Sequence, residues 1–215
     1  MSSLLFSERP AAGEPDGLLV LHHGRGVDEH DLLPLADVLD PSRRLHVVAP
    51  RAPLQLPGWG GNHWYVVPRV GHPDPETFLA ACTKLTELHD ELWERTGITP
   101  QATVLAGFSM GAVMSYALGL GSVRPAPAGI LALSGFLPAV EGWPLDLAAR
   151  LQVRVMIAHG RGDPVIAVGF AQAAADQLKA AGLDVDYRES GVAHQIDPAV
   201  LPVATAWLDS VLARP

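Results

Sequence analysis

The chain has 215 residues, 48% of them hydrophobic and 18% charged, and this composition predicts a globular protein with one substantial core, a single domain over residues 1–215. A formal charge of −8 without any cluster of Lys and Arg excludes a nucleic-acid-binding surface and a stable association with anionic membranes. The first ten residues hold neither a basic leader nor a sustained apolar stretch, and Cys82 is the only cysteine, so we expect a cytoplasmic protein without intrachain disulfides.

Strand and helix patterns alternate through the first half of the chain. An apolar run over residues 17–22 predicts a strand, and a helical stripe of leucines predicts a helix over residues 29–39. A second buried strand is predicted over residues 45–49. Repeated prolines then predict a long loop over residues 50–75, after which apolar residues at helical spacing predict a helix over residues 76–96.

The second half of the chain continues this alternation. The predicted elements are a strand over 103–106, a helix from the following turn to Leu118, strands over 130–133 and 153–158, a helix over 168–181, a strand over 185–188 and a helix over 198–213. Alternating strands and helices predict an α/β fold with a mostly parallel twisted sheet and helices on both faces. Catalytic residues of such a fold belong on the loops at the carboxyl ends of the strands.

Residues 107–111, Gly-Phe-Ser-Met-Gly, have the G-x-S-x-G spacing of a turn that presents a nucleophilic serine. This turn holds the serine in a strained backbone conformation, and side chains two residues before and after it would collide. A glycine-rich turn that arose by chance is the alternative. The predicted strand before the motif and the predicted helix after it favour Ser109 as a nucleophile.

A serine hydroxyl needs a general base, and the base needs an acid that orients it. His194 lies in the loop between the strand over 185–188 and the last helix, where a base can reach Ser109. Asp163 lies in a glycine-containing loop just after the strand over 153–158. The chain order Ser, Asp, His is that of a catalytic triad in the α/β-hydrolase fold, so we expect Ser109, Asp163 and His194 to form one.

Other titratable residues offer alternative assignments. His159 ends a predicted strand and is interpreted as structural, while Asp184 and Asp186 are rival acids whose strand positions should face away from the site. A metal site is a further alternative, although the spacing of its candidate ligands matches no metal motif. Those candidates are His22, His23, Asp28, His30 and Asp31.

The anion that forms during acyl transfer needs hydrogen-bond donors, usually the N–H group after the nucleophile and one from the loop after an early strand. The backbone N–H groups of Met110 and Arg25 are the natural candidates. Arg25 lies between Gly24 and Gly26, which let the backbone approach a substrate closely.

Together these motifs resemble the phospholipase/carboxylesterase family of small bacterial carboxylesterases and acyl-protein thioesterases. The resemblance covers nearly the whole chain from residue 17 and rests on His23-Gly24-Arg25-Gly26, Ala49-Pro50-Arg51-Ala52-Pro53, Gly107-Phe108-Ser109-Met110-Gly111, His159-Gly160 with Asp163-Pro164-Val165, and residues 191–194. It implies an α/β-hydrolase fold, triad roles for Ser109, Asp163 and His194, and oxyanion roles for the N–H groups of Arg25 and Met110.

Two positions depart from the family pattern. Members that act on long acyl chains commonly have Leu where Arg25 stands and Gln where Met110 stands. Neither change removes the backbone N–H donors. The Arg25 side chain, however, would place positive charge beside the pocket, which argues against lysophospholipid or acyl-protein substrates. The alternative is an arginine that faces solvent or forms a salt bridge.

Aromatic side chains are the candidate walls of the substrate pocket. Trp59, Trp64 and Tyr65 lie on the long loop, and Phe136 lies in the stretch over residues 135–150, which is too short for a separate cap domain. The loop aromatics are equally well explained as residues that cover the core.

We therefore expect a serine carboxylesterase that hydrolyses small esters of short to medium acyl chains, through an acyl-enzyme and without metal or organic cofactor. Thioesters, lysophospholipids and acyl-proteins are alternative substrates, because the triad chemistry is the same. A non-catalytic binding protein with a hydrolase fold is the rival from another class, and a dienelactone-type hydrolase would carry Cys in place of Ser109. The sequence leaves the oligomeric state open between a monomer and a homodimer.

Overall fold

The computed structural model describes residues 4–213 and contains one seven-stranded sheet. The strands are β1 (Phe6–Arg9), β2 (Gly17–His22), β3 (Leu45–Pro50), β4 (Thr103–Phe108), β5 (Gly129–Leu133), β6 (Arg154–Gly160) and β7 (Val185–Ser190). Their order across the sheet is β1-β3-β2-β4-β5-β6-β7. Only β1 is antiparallel to its neighbour, so the predicted mostly parallel sheet is confirmed.

Helices cover both faces of this sheet, as predicted. They are α1 (Leu35–Leu39), α2 (Pro75–Thr96), α3 (Met110–Leu120), α4 (Gly169–Ala180) and α5 (Leu201–Leu212). Successive strand residues point to opposite faces, so Leu105 packs in the cluster of α2 and α3, while the adjacent Val104 packs in the cluster of α1 and α5. Helix α4 lies on the same face as α3, over β6 and β7.

Helix α3 is buried along its whole length, which suits its mostly apolar and small residues. It follows β4 after a single intervening residue, Ser109. Strand β4 lies in the middle of the sheet, between β2 and β5. The beginning of α3 therefore lies at the centre of the sheet's carboxyl edge.

Two elements differ from the sequence-based prediction. Strand β1 is a short edge strand with the mixed sequence Phe-Ser-Glu-Arg, which carries little strand signal. The helix predicted over residues 29–39 is reduced to the five residues of α1. Pro34 accounts for this, because its nitrogen has no proton to donate and its ring would collide with the preceding turn of a continuous helix.

The segments that could cover the sheet are short or irregular. Residues 51–74 form the predicted loop, held by isolated bridges such as Leu54 with His63. Between β5 and β6 the chain contains only the short 3₁₀ turn Ala148–Arg150, so the described chain has no cap domain there. Within residues 4–213, no helix has both the length and the apolar character that crossing a bilayer requires.

Candidate active site

Ser109 occupies a strained turn between β4 and α3. Its backbone has φ 54° and ψ −118°, a conformation that side-chain-bearing residues rarely adopt. A Cβ atom on Gly107 would lie 2.4 Å from the carbonyl carbon of Gly111, and one on Gly111 would lie 1.9 Å from the carbonyl oxygen of His22. Both positions therefore require glycine, because a side chain at either one would collide with the backbone beside the turn, as the sequence motif predicted.

The structure brings Ser109, His194 and Asp163 into one chain of hydrogen bonds. Nε2 of His194 lies 2.9 Å from Oγ of Ser109, and Nδ1 of His194 lies 2.6 Å from Oδ2 of Asp163. An ionised carboxylate only accepts, so Nδ1 carries the proton that His194 donates to Asp163. Nε2 of the neutral ring is then free to accept the proton of the Ser109 hydroxyl.

Asp163 is held by its own loop in the ionised form. Its side chain is buried, and Oδ1 accepts hydrogen bonds of 2.8 Å from the backbone N–H groups of Val165 and Ile166. Burial raises the pKa of Asp163, but the hydrogen bonds from His194 and from the two N–H groups outweigh it. The pKa consequently lies below its ordinary value, and Asp163 is charged near neutral pH.

His159 supports this loop in a way that the sequence did not reveal. Its buried ring places Nε2 2.8 Å from the carbonyl oxygen of Ile166 and 3.3 Å from Oδ2 of Asp163. The prediction of a structural role did not include the contact with Asp163. The i, i+4 spacing of His159 and Asp163 was the available signal, but it has no fixed meaning in a loop.

The loop that carries His194 packs closely against its neighbours. The rings of His194 and Phe108 lie 4.9 Å apart between centroids, and a Cβ atom on Gly160 would lie 2.3 Å from the carbonyl oxygen of Val192. These contacts hold the imidazole beside Ser109, with 18% of its side chain exposed.

The two candidate oxyanion donors flank Ser109 on different elements. Met110 begins α3, where the first N–H groups of a helix have no partner within the helix. Arg25 follows β2, in a loop that is braced by the buried His23. The Nδ1 atom of His23 lies 2.6 Å from the carbonyl oxygen of Gly24, and its Nε2 accepts a 3.0 Å hydrogen bond from the N–H of Ala52.

A pocket beside Ser109 encloses about 410 Å³, including its open mouth. Of the four predicted wall residues, Tyr65 and Phe136 line it. Trp64 is fully buried in the core instead, where its indole N–H donates to the carbonyl oxygen of His23 and so supports the loop of Arg25. Trp59 does not line the pocket; it is 59% exposed, and its ring lies under the guanidinium of Arg25.

The alternative assignments find other partners. Asp184 pairs with Arg154, and Asp186 pairs with Arg188. Asp184 directly precedes β7 and Asp186 lies at its beginning, whereas His194 follows its end, so neither rival acid is placed to orient the imidazole. The candidate metal ligands do not converge, and residues 4–213 contain no group of three or more His, Cys, Asp or Glu side chains arranged to hold a metal ion. His22, for example, shares a 2.8 Å hydrogen bond with Ser115 inside the core.

Comparisons with known proteins agree with this geometry. The profile of the family described as phospholipase/carboxylesterase matches residues 9–212. Acyl-protein thioesterase 1 of Gibberella zeae is 28% identical, over 93% of this chain and 92% of that protein. Lysophospholipase-like protein 1 of Mus musculus is 26% identical, over 77% of this chain and 73% of that protein.

Solved structures extend the comparison to the fold. Esterase PE8 is 31% identical and has a TM-score of 0.85, with coverage of 97% of this chain and 99% of that chain. The Bacillus cereus carboxylesterase has a TM-score of 0.84 at 23% identity, with coverage of 97% and 95%, and supports the fold alone. The chain therefore belongs to the phospholipase/carboxylesterase family and is a serine hydrolase with the α/β-hydrolase fold that acts on ester bonds.

Proposed function

We propose that the protein is a carboxylesterase in which Ser109 is the nucleophile, His194 the general base and acid, and Asp163 the residue that orients the imidazole. The observation that carries this proposal is the continuous hydrogen-bonded chain from Asp163 through His194 to Ser109, with distances of 2.6 and 2.9 Å. Each member lies at the carboxyl end of a different parallel strand, where this fold concentrates its chemistry.

In the acylation step, Oγ of Ser109 attacks the carbonyl carbon of the ester while its proton passes to Nε2 of His194. The carbonyl oxygen becomes an anion and accepts hydrogen bonds from the backbone N–H groups of Arg25 and Met110. When the tetrahedral intermediate collapses, the bond to the leaving oxygen breaks and His194 gives its proton to the departing alcohol. The acyl group is then bound to Ser109.

In the deacylation step, a water molecule takes the place of the alcohol. His194 accepts a proton from the water as its oxygen attacks the acyl carbon, and the same two N–H groups stabilise the second anion. The bond to Oγ breaks, the proton returns to Ser109, and the carboxylic acid leaves. Asp163 stays ionised throughout and stabilises the imidazolium that forms in each step.

The pocket supports acyl groups of short to medium length. Its apolar wall is formed by Tyr65, Val67, Val70, Phe136, Val165 and Ile166, and its small volume suits a single chain rather than a bulky lipid. We therefore propose small-molecule esters as partners, and neither nucleic acid nor a membrane. We also propose a cytoplasmic location, in line with the one buried, unpaired cysteine.

Thioesters are a second candidate substrate class, because the Gibberella zeae relative is named an acyl-protein thioesterase. The triad would act in the same way with sulfur as the leaving atom. Oxygen and sulfur esters with the same acyl group would separate the two activities by their kcat/KM values.

The test is hydrolysis of an oxygen-ester series from acetyl to long-chain acyl by the wild type, by Ser109→Ala and by Ser122→Ala, which removes an exposed hydroxyl outside the site. We expect Ser109→Ala to lower kcat by about 10³-fold or more, as loss of a triad nucleophile does, and Ser122→Ala to leave it unchanged. Equal rates for wild type and Ser109→Ala would overturn the proposed role. A wild type inert on every ester would favour the binding-protein alternative.

A further inference from the structure

Two arginine residues line the pocket beside Ser109, and neither has a carboxylate partner. Arg25 comes from the loop after β2, and Arg69 comes from the long loop 51–74. In the described chain, neither guanidinium forms an ion pair with Asp or Glu, although the protein has a formal charge of −8. Other arginines are paired, including Arg9 with Asp40 and Arg124 with Asp90.

Arg25 is held in place by an aromatic ring. Its Cζ atom lies 3.9 Å from the centroid of the Trp59 ring, a cation–π contact. No acceptor among residues 4–213 takes a hydrogen bond from its side chain, so the N–H donors of the guanidinium are available. The long loop thus supplies a support for Arg25 that restricts its motion without neutralising its charge.

The nearby acidic side chains Asp28 and Glu29 have other partners and do not neutralise Arg25. Glu29 is hydrogen-bonded by Arg51, with 2.6 Å between Oε1 and Nη2, and Oδ1 of Asp28 accepts the backbone N–H of His30 at 3.0 Å. Arg69 contacts the imidazole of His72, which offers no negative charge. Both arginines therefore border the pocket without a neutralising carboxylate, and their guanidinium groups carry donors that suit a planar anion.

We infer that the natural substrate carries a carboxylate in addition to the ester, and that Arg25 and Arg69 determine this specificity. The inference rests on the proposed esterase activity and names its substrate class. An apolar wall with two guanidinium groups fits a short carbon chain that ends in an anion. The carboxylate is carried either by the acyl group, as in a half-ester of a dicarboxylic acid, or by the leaving alcohol.

Two matched ester pairs distinguish these sources of the anion. Monoethyl glutarate and ethyl pentanoate differ in the charge of the acyl group, whereas 4-acetoxybenzoate and 4-acetoxybenzamide differ in the charge of the leaving group. The quantity to measure is the ratio of kcat/KM for the anionic ester to kcat/KM for its neutral partner. We expect a ratio above about 10 for one of the two pairs, as a charge-assisted hydrogen bond provides.

The variants Arg25→Gln and Arg69→Gln should each lower that ratio by about tenfold to hundredfold, mainly through KM for the anionic ester. Arg43→Gln removes the same charge from an exposed residue that does not line the pocket, and it should leave the ratio unchanged. Turnover of the neutral ester by each variant shows that it is folded.

The possible results separate this inference from the esterase proposal. If the wild type hydrolyses both esters of each pair with similar kcat/KM values, or if Arg43→Gln lowers the ratio as much as Arg25→Gln and Arg69→Gln do, the inference is overturned while the esterase stands. If the wild type hydrolyses neither member of either pair, the proposed esterase function fails, and the inference fails with it.

Discussion

The carboxyl ends of the central strands and the long loop 51–74 border the same pocket, but they are constructed differently. At the strand ends, sheet-type hydrogen bonds continue into the loops: the N–H of Ser109 donates to the carbonyl oxygen of Leu133, and the N–H of Arg161 donates to that of Ser190, both at 2.8 Å. The long loop has only isolated bridges and a few anchors such as the buried Trp64. The catalytic residues thus lie where sheet hydrogen bonds fix the backbone, whereas some of the proposed substrate contacts, such as Tyr65 and Arg69, lie in the less constrained long loop.

The largest expected difference in stability between these two regions comes from glycine substitutions. Gly111→Ala places a methyl group 1.9 Å from the carbonyl oxygen of His22, which only a backbone shift can relieve, whereas Gly60→Ala in the long loop meets no atom within 4 Å. We expect Gly111→Ala to lower the free energy of unfolding by more than about 3 kcal/mol and Gly60→Ala to change it by less than about 1 kcal/mol. Urea denaturation measures both. Similar losses in the two variants would contradict the contrast.

Replacing Asp163, the acid of the triad, tests the strand-end region through the loss of catalytic activity. Asp163→Asn should lower kcat/KM by about 10³- to 10⁴-fold, because an amide does not hold the imidazole in the required protonation state. Asp186→Asn is the control, since that carboxylate pairs with Arg188. Steady-state kinetics on one ester measures both, and an Asp163→Asn enzyme with full activity would show that another group is the acid.

The buried His89 of α2 should make the protein less stable at acidic pH. Burial lowers the pKa of His89 to about 3, while the unfolded chain keeps an ordinary histidine pKa near 6.5. Between these values the unfolded state binds more protons, so stability falls as the pH falls below 6.5. His89 alone should cost the wild type on the order of 2 kcal/mol at pH 5 relative to pH 7.5.

The matched variant is His89→Leu, which cannot be protonated and removes a ring whose Nε2 has no partner. Its unfolding free energy should fall less between pH 7.5 and pH 5 than that of the wild type, whereas Thr83→Ala, which changes an exposed side chain without a titratable group on the same helix, should behave like the wild type. An unchanged pH dependence in His89→Leu would show that His89 is not the group responsible.

The smallest expected effect is in the long loop itself. Trp59→Ala removes a side chain that is 59% exposed and should change the unfolding free energy by less than about 1 kcal/mol. Trp64→Ala, five residues further along, removes a fully buried indole and should cost about 3–5 kcal/mol. Thermal or urea unfolding compares the pair directly, and equal losses would mean that the loop is as well packed as the core.

The same contrast explains what could be predicted from sequence. The strand-end residues Ser109, Asp163 and His194 are brought together because each follows a strand of one parallel sheet, so locating the strands also located the loops. The spacing of Gly107 and Gly111 around Ser109 predicted the strained turn, because side chains at those two positions would collide. Topology and local sterics together left few alternatives for this part of the molecule.

The remaining features depend on contacts between distant residues. The sequence could not show whether Trp64 lines the pocket or packs in the core, because its position depends on the path of the long loop over the sheet. The shortening of the helix predicted over residues 29–39 follows from Pro34 interrupting a good apolar stripe. The contact of His159 with Asp163 arises from the fold of a loop, for which sequence spacing gives no rule.

Covalent labelling with a small reactive phosphonate ester tests the central claim most directly. Such a reagent reacts with a serine only when a base activates it, and the product is identified by mass spectrometry of the digested protein. We predict one adduct, on Ser109, in the wild type, and none in His194→Ala under the same conditions. An unlabelled wild type, or an adduct on a serine other than Ser109, would contradict the account.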